Sequence, residues 1–160
     1  MSLGGGGGGG GALEQIQEQL QLLEREKQVI RAEIQEARDE QAEIDEAVEA
    51  VESLEDGSTV QVPVGGGAYV RAEVQDVEEI VVGLGGGYAA EQDREGAITA
   101  LEHKKEALDD RIDILQDEIE EVDEQAGQLE QRASQIQQQQ MQQLQQQMQG
   151  QQGPGDQDDE

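Results

Sequence analysis

Apolar side chains recur along the first third of the chain at alternating spacings of three and four. They are Leu13, Ile16, Leu20, Leu23, Ile30, Ile34, Ala37, Ile44, Val48 and Val51, with Lys27 and Gln41 completing the series. This heptad seam has no stutter, and it predicts a helix over 13–56 that must find an apolar partner. A matching seam follows at Ile98, Leu101, Lys105, Leu108, Ile112, Leu115, Ile119, Val122, Ala126, Leu129, Ala133 and Ile136, predicting a second helix over 93–140. Each seam has twelve positions over 39 residues, nine of them large and apolar. Folding one back on the other pairs them along their whole length, about 58 Å at 1.5 Å per residue.

In that antiparallel register the numbers of facing residues add to 149, so Ala133 faces Ile16 and Ala126 faces Leu23. Small side chains then stand against large ones, as dense packing requires. Gln41 falls opposite Leu108 and Lys105 opposite Ile44, two polar intrusions within one turn that fix register there. Lys27, opposite Val122, is expected to run its stem along the seam and lift its ammonium toward acidic neighbours.

Between the helices, over 57–92, the period changes from heptad to alternation. Gly57 is expected to stop the first helix. Val60, Val62 and Val64 alternate with Thr59, Gln61 and Pro63, and Val70, Ala72 and Val74 with Tyr69, Arg71 and Glu73, so 65–67 forms a hairpin turn. Twenty residues on, Ile80, Val81, Val82 and Leu84 form a strand, 85–87 its turn, and Tyr88 begins the return strand. Pro63 cannot donate to a ladder, which places its strand at an edge or turns that position outward. Asp93 is the expected N-cap of the second helix. The fold class is therefore α+β and mostly α, a long antiparallel two-helix coiled coil with two inserted β-hairpins. Hairpins this small enclose no core, and their open edges invite other chains. The insert is expected to be an oligomerisation module carried by Val60, Val62, Val64, Tyr69, Val70, Val74, Ile80, Val81, Val82, Leu84 and Tyr88.

The two ends differ in character. Residues 1–12 form a glycine-rich stretch expected to be flexible, and 141–160 a glutamine-rich, finally acidic tail expected to be disordered beyond about Gln149. At the free end of the helical hairpin, Leu13, Ile16, Ile136, Met141, Leu144 and Met148 gather with no domain to cover them. Seam packing accounts for the first three, whereas the last three lie beyond the matched register and need a partner. Methionine adapts to many apolar shapes and glutamine keeps such a surface in solution, a combination suited to holding unrelated sequences. Several weak arms acting together would strengthen that grip.

Charge narrows the partners. With 38 acidic and 10 basic residues the net charge is -28, which opposes attraction to nucleic acid or anionic membranes. Molar salt shortens the Debye length to about 3 Å, so a salt-rich, halophilic cytoplasm is expected. Three lysines and the absence of Phe and Trp fit that expectation. The N-terminus lacks the basic start and apolar stretch of a signal peptide, and no run approaches the ~18 apolar residues of a membrane span, so a cytoplasmic location is expected. Without cysteine, and with His103 alone among charged neighbours, no catalytic, metal or cofactor site is predicted. The glycine runs lack both the third glycine of GxGxxG and a phosphate-binding lysine, so they are assigned to turns and tail rather than to nucleotide binding. An acidic-tipped transcript-cleavage coiled coil is disfavoured because the helix connection is a valine-rich β module.

Helix, VQVPVGGGAYVRAEV, IVVGLGGGYAAEQD and an equal helix together resemble the alpha subunits of the prefoldin family over about 13–136. The related beta subunits carry one hairpin, so two argue for the alpha class. The resemblance implies a heterohexamer of two alpha and four beta subunits, hairpins in a double β-barrel body and coils hanging from it. It further implies that coil tips hold unfolded proteins without ATP and pass them to a group II chaperonin. The glycine-run start, the glutamine tail and the acidity depart from the usual pattern. A coiled-coil scaffold for defined folded partners is the alternative reading of the same seams.

Overall fold

A computed structural model describes residues 8–151. Its elements run helix α1 (Gly8–Ser53), strands β1 (Thr59–Gly65), β2 (Ala68–Glu73), β3 (Ile80–Gly85) and β4 (Tyr88–Gln92), then helix α2 (Arg94–Gln151). The two helices, the two hairpins between them and their order are those the sequence predicts. All twenty-four seam positions are buried or half-buried, while most of their neighbours are exposed. The heptad rhythm thus sets which stripe of each helix leaves water.

Three of the expected boundaries differ. α1 begins at Gly8, inside the run expected to be flexible. Glycine costs a helix roughly 1 kcal/mol per residue, but adding a turn to an existing helix carries no nucleation cost. α2 continues to Gln151, past the end expected at 140. Glutamine, methionine and leucine are good helix formers, and neither proline nor glycine interrupts 128–149. The rest of the glycine tail and the acidic residues of the C-terminal tail lie outside the described residues. α1 also stops at Ser53, before Gly57. Gly57, at φ 82°, instead makes the turn into the first hairpin, its N–H donating to the Val74 carbonyl at 2.8 Å.

Contacts divide the chain into two units. The unit of 32–116 holds the inner parts of both helices and the hairpins. Its core includes Ile34, Ala37, Ile44, Val51, Val82, Ala97, Ile112 and Leu115. The hairpins form separate two-stranded antiparallel sheets, so each strand has one unpaired edge within the described chain. They are near copies. Pro63 pairs with Tyr69 and Gly65 with Ala68, leaving Val64 as a bulge; Gly83 pairs with Ala89 and Gly85 with Tyr88, leaving Leu84 in the same place. Gly65, Gly66 and Gly67 have φ of 102°, 61° and 79°, closely matched by 91°, 63° and 81° at Gly85, Gly86 and Gly87. Three successive left-handed residues are costly for any side chain with a Cβ, which accounts for each glycine triplet.

The hairpins differ in how they are anchored. Val82 is buried with Val51 and Ala97, and Ile80, Ile98, Ala100 and Leu101 pack around them. This corrects one sequence assignment: Val82 ties the second hairpin to the helix ends and presents no surface for another chain. The first hairpin has no fully buried side chain. It is held by the Val74 backbone, which exchanges hydrogen bonds with Gly57 and Ser58, and by Asp56, whose Oδ1 accepts the Val77 N–H at 2.8 Å. Asp93 caps α2 as expected, its Oδ1 accepting the Gly96 N–H at 2.7 Å. An Arg94 Nη2–H donates to the Leu54 carbonyl, satisfying a group left open where α1 ends.

The second unit contains the outer parts of the helices, to Arg31 on α1 and from Asp117 on α2. Its buried apolar residues are Ile16, Ile30 and Val122. Lys27 Nζ stands 2.6 Å from Asp123 Oδ1, so the seam lysine reaches an acid beside its expected partner Val122.

Candidate functional site

Polar groups across the helix pairs confirm the register. In the inner unit, Gln41 Nε2 donates to the Lys105 carbonyl at 3.2 Å and to Asp109 Oδ1 at 2.6 Å. Lys105 Nζ lies 2.7 Å from Asp45 Oδ1, and Arg111 Nη2 lies 3.0 Å from Glu33 Oε2. Lys27, Gln41 and Lys105 each bind the residue next to the one predicted to face them. A shift of one heptad would break all three contacts, so these intrusions select the pairing as well as tolerating it.

Asp45 holds the Lys105 ammonium above its ordinary pKa of 10.5 through a hydrogen bond and its charge, with Asp109 adding to the effect and partial desolvation opposing it. A raised lysine value means that folding tightens proton binding. The stability from this pair is fully present below the unfolded value and is lost as pH rises through the raised one. Melting curves of the protein and of Lys105→Met should therefore keep a constant offset between roughly pH 6 and 9. The offset should close above the ordinary lysine range, and an offset that changes between pH 6 and 8 would contradict this assignment.

Among the described residues, apolar side chains cluster in the open on two surfaces. One belongs to the hairpins, where Val62, Val64, Tyr69, Val70, Val81, Leu84 and Tyr88 face solvent, with Val60, Val74 and Ile80 half-buried. The second lies on the outer part of α2. Met141, Leu144 and Met148 are 64%, 58% and 72% exposed, and their i, i+3, i+7 spacing sets them on one face.

The six residues grouped from sequence as a tip therefore separate. Ile16 is 5% exposed and packs as seam; Leu13 and Ile136 are half-buried. Only the three from 141 onward offer open apolar area. For Met141 the register offers a reason, since the pairing of Ile136 with Leu13 sets it against Gly8, which has no side chain to cover α2. The segment from Ala133 to Gln151 also contains no charged residue, in a chain of net charge -28. It is a neutral apolar stripe in a glutamine background.

Leu22, Val29 and Ile114 were not singled out by the seam pattern, yet they too are exposed. Leu22 borders a shallow hollow with Gln19, Leu23, Gln125 and Leu129. The seven-residue spacing of Leu22 and Val29, out of phase with the seam, is the sequence signal that marks them. Arg94 has no such signal, since its carbonyl partner at Leu54 lies forty residues away.

Comparison with known proteins gives this geometry a family. The model described as Prefoldin subunit matches residues 16–139. The prefoldin subunit alpha of Halorubrum lacusprofundi is 66% identical over 73 residues, 46% of this chain and 48% of that protein. The corresponding subunit of Haloarcula marismortui is 60% identical over 73 residues, 46% of this chain and 47% of its own. These matches span about half the length of the curated relatives. A filamentous prefoldin from Methanocaldococcus jannaschii, solved by cryo-electron microscopy, superposes with a TM-score of 0.50 at 27% identity, covering 74% of this chain and 94% of that one. With its two seams, its twin hairpins and a family match across both, the chain belongs to the prefoldin family, and its halophilic relatives are alpha subunits.

Proposed function

We propose that this chain is the alpha subunit of an ATP-independent chaperone that holds unfolded proteins at the outer end of its helices. The neutral stripe of Met141, Leu144 and Met148 carries the reading. Unfolded chains expose apolar segments of no fixed sequence, and flexible thioether side chains adapt to them. The absence of charge also matters, because an apolar client segment can dock there without desolvating a carboxylate. Leu13 and Ile136 extend the stripe at its margin, while Ile16 supports it from the seam.

The exposed hairpin residues and open strand edges suit assembly with beta subunits, in the two-alpha, four-beta arrangement typical of the family. Val82 has no part in that surface. Delivery of the held client to a group II chaperonin, in the cytoplasm, completes the proposal.

The test is aggregation suppression of a chemically denatured client in molar salt, using this chain assembled with beta subunits. Changing Met141, Leu144 and Met148 together to Ser is expected to weaken holding roughly tenfold or more, about 1.4 kcal/mol or more of lost contact, with assembly mass unchanged. Undiminished holding by the intact variant assembly would remove the stripe from the mechanism.

A further inference from the structure

The same stripe has a second chemical property, and the inference drawn from it rests on the holding role just proposed. The chain has no cysteine and three methionines, and Met1 lies outside the described residues. All the sulfur in the described protein therefore belongs to Met141 and Met148. The seams use leucine, isoleucine, valine and alanine at their apolar positions and never methionine. Among the described residues, thioethers occur only where the apolar surface is open, at 64% and 72% exposure, one turn on either side of Leu144. Tryptophan is absent, and the tyrosines Tyr69 and Tyr88 are in the hairpins.

We infer that Met141 and Met148 are sites of reversible oxidation, through which peroxide controls the grip on clients. The sulfur lone pair of each methionine attacks one peroxide oxygen. The O–O bond breaks, a sulfur–oxygen bond forms, and the departing hydroxide takes the proton from the oxygen now on sulfur and leaves as water. Sulfur loses two electrons and peroxide gains them. A dithiol-dependent methionine sulfoxide reductase reverses the change, removing the oxygen as water while the dithiol becomes a disulfide. The product is a strongly polar sulfoxide at two of the three stripe positions. Leu144 alone then remains apolar, and the surface loses the softness that suits it to unrelated sequences. Because Met141 and Met148 are 64% and 72% exposed, the added oxygens meet solvent and leave the fold intact.

For the test, this chain is treated with hydrogen peroxide, freed of it, and assembled with untreated beta subunits. Peptide mapping then confirms one added oxygen at Met141 and one at Met148. Holding of a denatured client is compared among untreated, oxidised, and oxidised then reductase-treated protein, and a Met141→Leu/Met148→Leu variant exposed to the same peroxide. Oxidised protein should bind clients roughly tenfold more weakly, the reductase should restore binding, and the leucine variant, whatever its starting grip, should lose none of it to peroxide. Equal holding by fully oxidised protein, or equal loss in the leucine variant, would overturn the inference. The serine variant separates the two proposals. If it fails to hold clients while oxidised protein succeeds, only the oxidation control is wrong; if both hold normally, the stripe itself is not the site.

Discussion

Transfer from molar salt to roughly 0.01 M salt is expected to abolish at least about half of the helical signal and to dissociate the assembly, because the Debye length grows from about 3 Å to about 30 Å. Neighbouring side chains one turn apart on a helix are about 5–6 Å from each other. In molar salt each carboxylate is screened from the next, and in dilute buffer it interacts with many. The chain has 38 acidic and 10 basic residues, and among the described residues three ion pairs, Lys27–Asp123, Lys105–Asp45 and Arg111–Glu33, offset that repulsion across the helices. Exposed pairs of this kind contribute about 0–1 kcal/mol each, so they do not compensate for the unscreened charge.

Salt also strengthens apolar association, and acid distinguishes the two causes. At low salt and about pH 4, close to the ordinary carboxylate values, roughly half the acidic groups lose their charge. Helicity should then return without added salt if repulsion was responsible. Far-UV circular dichroism and sedimentation follow both steps. Unchanged ellipticity and mass on dialysis would show that the acidity is tolerated without screening, and failure of acid to restore the helix would assign the salt effect to the seam.

Much of this architecture was readable because its causes are local or periodic. The seams, their antiparallel register, the glycine triplets and the Asp93 cap each follow from a pattern that a few neighbouring residues complete. Lys27, Gln41 and Lys105 were legible as intrusions because they interrupt an otherwise strict rhythm. Val82 was not, since Val60, Val62 and Val64 alternate as regularly as Ile80 and Val82. Only the packing of the second hairpin on Val51 and Ala97 distinguishes them. The helical state of Gly8–Gly11 was hidden for the opposite reason, because intrinsic propensity argues against it and continuation of α1 overrides that preference. At the tip, the end of the matched register already set Met141, Leu144 and Met148 apart from the seam residues Leu13, Ile16 and Ile136. Whether Ile16 or Met141 faces water depends on what stands opposite, and glycine in the facing register leaves the methionine uncovered.

Two leucines on α2 bring this division to an experiment. Leu115 is 1% exposed and Leu144 is 58% exposed, on the same helix and with the same side chain. Leu115 sits among seam residues beside Ala37 and Leu108, and the small Ala37 side chain has little reach with which to fill a void. Leu115→Ala is therefore expected to cost about 2–4 kcal/mol, combining lost burial with an incompletely closed cavity. Leu144→Ala removes the same atoms from a site already in water and should change stability by less than about 0.5 kcal/mol. Client holding should respond in the reverse order. Leu144→Ala should weaken it severalfold, by about 1 kcal/mol of contact, whereas Leu115→Ala should leave holding per folded assembly unchanged. Denaturant melts in molar salt give the first quantity, and client titration at a temperature where both variants remain folded gives the second. If Leu144→Ala destabilises the protein as strongly as Leu115→Ala, the outer part of α2 is packed in the assembly and the stripe is structural. If neither substitution changes holding, the client contacts a surface elsewhere, and the exposed pair Leu22 and Val29 on α1 is the next to change.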